Sequence, residues 1–177
     1  MKSAHASATL GELEIPLERD VFLRSLLRHL AGAIEDVVGT DEASGFISIV
    51  GMRMGEELGN SYRDALGVAR LDRETLAAVL VDLKRRIQGD FFVVEERPDR
   101  IVFGNHRCPF GDKVIGRPSL CMMTSNVFGA IAADTVGYAK VAIESAIARG
   151  DAGCRVVVHL EPTAESGAVE GREYVRR

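Results

Sequence analysis

The spacing of apolar residues changes once along this chain, near residue 90. Before that point it follows the 3.6-residue period of an α-helix, and after it the two-residue period of a β-strand. Gly39 and Gly89 end two of the helical segments, and Asp72 is a suitable N-cap for the third helix. The pattern predicts three helices with these apolar stripes: Leu23, Leu27, Leu30, Ile34 and Val37; Phe46, Ile49, Val50, Met54 and Leu58; and Leu76, Val79, Leu80, Leu83 and Ile87.

The second part of the chain predicts two hairpins with a helix between them. Residues 91–96 and 100–105 are rich in β-formers and flank a turn with a proline, and 138–148 and 154–160 form a second pair around a glycine-rich turn. A loop, 106–118, and a fourth helix, 119–133, lie between the pairs. The expected fold class is α+β, with the N-terminal helices packed on a mainly antiparallel sheet.

The length and composition of the chain restrict the classes of protein to which it can belong. The 177 residues are enough for one domain, which we expect over 16–162, with a flexible arm at 1–15 and a flexible tail at 163–177. The net charge of −4 and the absence of a basic cluster argue against direct nucleic-acid binding. No apolar leader is visible and no uncharged run is apolar enough to span a membrane, so a cytoplasmic protein with reduced thiols is expected.

Three cysteines are the residues best suited to carry chemistry. Cys108, Cys121 and Cys154 form no Cys-x-x-Cys pair, but each lies at the end of a predicted element. Ser119 is expected to cap the fourth helix, whose N-terminus would then favour a thiolate at Cys121. Three thiolates can converge on one centre, which favours an iron–sulfur cluster or zinc. Alternatively, each cysteine is a small buried apolar side chain.

The segments around these cysteines resemble a known family. Cys108-Pro109-Phe110, Cys121 twelve residues later, and Gly150-Asp151-x-x-Cys154-x-Val156-x-Val158 are similar to the effector domain of the repressor of iron–sulfur assembly operons. The stretch also resembles the methanogen output domain and, more distantly, the 4-vinyl-reductase-like ligand-binding domain, whose α+β fold is shared with a TRAPP-complex subunit. The resemblance covers residues 90–160 best. It implies that Cys108, Cys121 and Cys154 hold an iron–sulfur cluster.

The chain departs from the repressor pattern in two respects. The 177 residues leave no room for the winged helix of the repressors, so direct reading of DNA is not expected. The chain also has three cysteines where a cluster takes four ligands. His106 is the nearest candidate for a fourth metal ligand. Asp112 and an exogenous small ligand are the alternatives.

The second predicted helix also carries three glycines at four-residue intervals, Gly51, Gly55 and Gly59. Interior glycines cost about 1 kcal/mol each relative to alanine, so a compensating interaction is expected. Close packing of another helix or of a second copy is one explanation, and a ligand groove is the other.

These observations support a sensory or regulatory domain that holds an iron–sulfur cluster and signals redox or metal status to a partner regulatory protein. A small-molecule-binding module without a metal, its thiols buried or redox-reactive, is the alternative. An enzyme with a cysteine nucleophile is the third hypothesis, although no catalytic signature is present. Edge strands and the glycine-rich helix further predict a symmetric homodimer.

Overall fold

A computed structural model describes residues 14–176. The predicted arm at 1–15 therefore lies outside the described residues, apart from Glu14 and Ile15. Three long helices open this part of the chain and a fourth follows the second strand; their bounds are α1, Arg19–Val38; α2, Thr40–Leu66; α3, Arg73–Arg86; and α4, Cys121–Val136. None of the described helices has the length and apolar character that a membrane span requires.

The strands form one antiparallel sheet in the order β1-β2-β4-β3-β5. Their bounds are β1, Phe91–Glu96; β2, Arg100–Asn105; β3, Tyr138–Ser145; β4, Cys154–His159; and β5, Arg172–Val175. The β1–β2 and β3–β4 hairpins join through the β2–β4 pair, in which Asn105 lies opposite Cys154. Helices on a mainly antiparallel sheet, with α4 between the two hairpins, confirm the predicted α+β class.

Helix α3 and the sheet form the main core as the apolar pattern predicted. Asp72 caps α3, since its carboxylate accepts the Thr75 backbone N–H at 2.8 Å. The inward side chains of α3 pack with the central strands and with α4. The largest fully buried side chains of this core, from α3, β2 and α4, are Leu76, Leu80, Ile101, Phe103, Phe128 and Ile131.

The two N-terminal helices are oriented differently from the prediction. In α1 only Ala31 and Gly32 are buried. Most of the predicted stripe on α2 is exposed, with Phe46 54% and Ile49 54% accessible, whereas Leu58 is half-buried against the main core. The buried face of α2 instead consists of small residues and one isoleucine: Ala43, Ile47, Ser48, Gly51, Gly55 and Gly59. A small-residue face lets two backbones approach closely, so α4 covers this face and the larger side chains point outward.

The prediction of a flexible tail from residue 163 was wrong. Thr163 and Ser166 form a capping box that starts a short helix, α5 (Ala164–Ala168), and β5 then pairs with β3. Tyr174 is 5% exposed and lies against Gly129 of α4, where a side chain would overlap the ring. Because β5 turns only this one large side chain inward, its sequence lacks the alternating apolar pattern of a strand.

Candidate functional site

The fold brings the three cysteines to one small cavity, although they come from three separate segments. Cys108 lies in the loop after β2, Cys121 is the first residue of α4, and Cys154 is the first residue of β4. This thiol cavity has a volume of about 30 Å³, room for one or two water molecules. Its walls are mostly apolar: Phe91, Asn105, Cys108, Pro109, Phe110, Val114, Leu120, Cys121, Thr124, Ile143, Ala146, Cys154 and Val156.

The side chain of Asn105, at the end of β2, forms hydrogen bonds to segments that surround the thiol cavity. Its side-chain oxygen accepts the backbone N–H groups of Asp90 (3.2 Å) and Arg107 (3.1 Å), and its Nδ2 donates to Cys154 Sγ (3.6 Å). The backbone N–H of Ile147 donates to the same sulfur at 3.5 Å. Asn105 is 2% exposed, and an amide at the end of an otherwise apolar strand was the sequence signal that could have revealed it.

Burial governs the protonation of two of the thiols. It raises the pKa of Cys108, and it raises the pKa of Cys121 to about 12, with smaller contributions from the nearby Cys154 and Cys108. The predicted helix-terminus effect at Cys121 does not prevail, because desolvation disfavours the charged form more strongly. Ser119 does not cap the helix either: its hydroxyl donates to the Glu35 carboxylate, and a 3-10 turn at Pro118–Leu120 leads into α4.

The two expected fourth ligands lie away from the thiol cavity. His106 is exposed, and its ring packs against Phe92 with 5.0 Å between the ring centres. Asp112 is exposed, and its Oδ2 lies 3.4 Å from Lys113 Nζ. Within residues 14–176, no group of three His, Cys, Asp or Glu side chains is arranged to hold a metal ion. The residues present thus do not complete a four-ligand centre, although three thiols share one cavity.

Lys84 of α3 is a buried cation that sequence reasoning missed. It is 4% exposed, and its Nζ donates to Thr124 Oγ1 at 2.8 Å. The ammonium lies 5.3 Å from the ring centre of Phe91 and 5.2 Å from that of Phe128. Burial lowers the pKa of Lys84 to about 8, and the cysteines Cys108, Cys121 and Cys154 oppose this shift. No carboxylate of the described residues pairs with Lys84.

A second and larger cavity, the helical groove, lies beside the thiol cavity. It has a volume of about 500 Å³ and runs between α1, α2, α3 and α4. Pro109 and Phe110 line both cavities and form the wall between them. The remaining lining is mainly apolar, with charged groups among it: Asp20, Leu23, Arg24, Leu27, Met54, Leu58, Tyr62, Leu83, Lys84, Arg86, Ile87, Gln88, Met123 and Val127.

A comparison with protein families gives the class of this domain: methanogen output domain 1 matches residues 26–159, which include all three cysteines. The chain belongs to the methanogen output domain 1 family. This confirms the resemblance to the methanogen output domain and identifies a regulatory domain. No curated protein matches the chain.

Solved structures with the same fold include two of distant sequence. One is trafficking protein particle complex subunit 3 from Naegleria fowleri, described as covalently bound to palmitic acid; identity is 13%, coverage is 88% of this chain and 99% of that chain, and the TM-score is 0.55. The other is the phenol-responsive sensory domain of the transcription activator PoxR with phenol. Its identity is 18%, the match covers 90% of this chain and 84% of that chain, and the TM-score is 0.54. At these identities the likeness shows the fold alone.

Proposed function

We propose that this protein is a sensory domain that binds a small organic molecule with an apolar body in the helical groove and reports its presence to a partner regulatory protein. The observation that carries the proposal is the groove itself. Its volume of about 500 Å³ lies in the range of ligand sites, and its walls are apolar with a few polar groups. Two proteins of this fold are described with an organic molecule, palmitic acid or phenol, which supports the same class of ligand here.

Helix α1 is the element through which binding would be reported. It contributes Leu23 and Leu27 to the groove, yet only two of its residues are buried. A ligand would add apolar contacts to a helix that has few, and it would favour the state in which α1 lies against α2. A partner that contacts α1 would then read the occupancy of the groove.

Two tryptophan variants of α2 test the proposal. Met54→Trp would fill the groove, whereas Val50→Trp adds the same ring one turn away at a residue that is 52% exposed and outside the groove lining. We expect phenol and 1-decanol, titrated by calorimetry and thermal melting, to bind wild type and Val50→Trp but not Met54→Trp. Absence of binding to wild type, or equal binding to both variants, would refute the proposal.

A thiol-bound iron–sulfur cluster or zinc ion is the second candidate. It is supported by the three cysteines around one cavity and by the two N–H donors to Cys154 Sγ, which are typical of the surroundings of thiolate ligands. The missing ligand would have to come from outside the described residues or from an exogenous molecule. Such a centre would let the same domain report metal or redox status.

Metal analysis of anaerobically purified protein tests the second candidate. If the cysteines share a centre, wild type should contain iron or zinc, and Cys108→Ser, Cys121→Ser and Cys154→Ser should each lose most of it, because each removes one ligand. Without a metal, all four proteins should be free of iron and zinc.

A further inference from the structure

Given the proposed ligand in the helical groove, we infer that this ligand is an amphipathic carboxylic acid whose carboxylate pairs with Lys84. The apolar walls of the groove would hold the tail. The inference therefore rests on the proposed function and adds the chemical class of the head group.

The charge distribution around the groove favours an anion. Three cations line it, Arg24, Lys84 and Arg86, against one carboxylate, Asp20. Asp20 is already used, since it pairs with Arg24 at 2.5 Å. The groove therefore presents more positive than negative charge, and electrostatic complementarity selects an anionic partner.

Arg86 differs from Lys84 in having a carboxylate of its own. Its Nε pairs with Asp82 Oδ2 at 2.6 Å, and Tyr62 donates to the same oxygen at 2.6 Å. Asp82 also pairs with Arg85, which does not line the groove. Arg86 therefore has a carboxylate acceptor without a ligand, although it shares this carboxylate with Arg85.

Lys84 is the cation without such a partner. Its ammonium makes one hydrogen bond, to the neutral hydroxyl of Thr124, although an ammonium has three donors. A buried charge without an opposite charge is costly, and the two aromatic rings compensate for only part of that cost. Arg24 adds a second unused donor, because its buried Nε has no hydrogen-bond partner among the described residues. Lys84 lines the groove, while its Nζ contacts Thr124 and Phe91, which line the thiol cavity. A carboxylate bound at the end of the groove next to the thiol cavity would supply the missing opposite charge.

Binding of decanoate and of 1-decanol separates the head group from the tail. The two probes share the apolar chain, and only decanoate carries a charge at neutral pH. We expect decanoate to bind wild type at least about tenfold more tightly than 1-decanol, because a hydrogen bond to a charged group contributes about 10- to 100-fold in affinity. Met54→Trp should abolish binding of both probes, since it fills the groove.

Lys84→Met and Arg85→Met provide the matched pair of variants. Each removes one positive charge from neighbouring positions on α3, but only Lys84 lines the groove. Lys84→Met should weaken decanoate binding about 10- to 100-fold and leave 1-decanol within about threefold of wild type, whereas Arg85→Met should change neither. Arg24→Gln, at a partly exposed position, serves as a second test if Lys84→Met does not fold. This variant should bind decanoate more weakly than wild type does and should bind 1-decanol as wild type does.

The possible failures are distinguishable. Equal affinity of wild type for decanoate and 1-decanol, or unchanged decanoate binding in Lys84→Met, would overturn the anionic head group and leave groove binding intact. If neither probe binds wild type, both the head-group inference and the proposed function are overturned.

Discussion

Tyr174 has a phenol group that lies almost entirely inside the protein, between β5 and α4. Its hydroxyl is 2.9 Å from Ser125 Oγ, and burial raises its pKa to about 12, from about 10 in an exposed tyrosine. The hydrogen bond to Ser125 and the charge of Arg172 lower it, but less strongly. The folded state therefore holds the phenol proton at pH values where the unfolded chain releases it.

This difference predicts a loss of stability in alkaline solution. The free energy of unfolding should keep the full Tyr174 contribution below about pH 10 and lose it between about pH 10 and 12, because there the folded state binds more protons than the unfolded state. Between about pH 8 and 11 the loss amounts to about 1 kcal/mol. Urea unfolding at both pH values should show this extra loss in wild type relative to Tyr174→Phe. Parallel pH dependence in the two proteins would contradict the prediction.

At the same scale of single residues, the sequence predicted where the cysteines lie but not how they are protonated. Their positions at element ends were read correctly from the strand and helix patterns, and they do share a cavity. The protonation of Cys108 and Cys121 was not, because desolvation depends on side chains such as Val114 and Ile143 that come from other segments. Asn105 and Lys84 were missed for the same reason: their partners are remote in sequence.

At the scale of elements, the glycines of α2 allow α4 to approach. An added Cβ at Gly55 would lie 2.7 Å from Ala130 Cβ and 3.2 Å from Val127 Cα, and one at Gly51 would lie 2.8 Å from Asn126 Cβ. Helix packing therefore explains the glycines at positions 51 and 55. The groove explanation stays open, because Gly55 and Gly59 also line a cavity of about 290 Å³. Helix packing also explains why the bulkier stripe of α2 faces outward, since those side chains would hold the helices apart.

Two glycine-to-alanine variants of α2 should have opposite effects. Gly55→Ala should destabilise the protein by about 1–3 kcal/mol, because the methyl group must displace α4. Gly45→Ala should stabilise it by about 0.5–1 kcal/mol, since nothing lies within 4 Å of the added group and alanine restricts the unfolded chain. Thermal and urea unfolding of both variants measure the changes. A neutral or stabilising Gly55→Ala would mean that α2 and α4 are not in close contact in solution.

At the scale of the whole molecule, the apolar surface of α1 and α2 is the main unexplained feature. Phe22, Leu26 and Leu30 follow one another on α1 and are each at least half exposed, and Phe46 and Ile49 on α2 are 54% exposed. Surface of this kind marks an interaction site in many proteins. The homodimer expected from the sequence remains a prediction, but its basis changes, because α4 covers the glycine face and the large apolar side chains remain.

A charged residue on the apolar surface of α1 should dissociate the predicted homodimer. We expect wild type to have twice the 19.2 kDa mass of one chain by light scattering, and Leu26→Glu to shift it towards the single-chain mass, because a buried glutamate without a partner is costly. Leu66→Glu is the control, at an equally exposed leucine, 54%, near the end of α2. A single-chain mass for wild type at high concentration would contradict the dimer.

The sequence alone determined the types of the four long helices and of the first four strands, the α+β class and the family resemblance, because helix and strand periods and capping residues act over a few neighbouring positions. Asp72 at the start of α3 and the turn between β1 and β2 are examples. Only the tertiary structure decided which faces are buried, how the thiols are protonated, that β5 completes the sheet, and where the helical groove lies. The physical reason is that desolvation and close packing depend on partners brought from distant segments, as when α4 meets the small-residue face of α2.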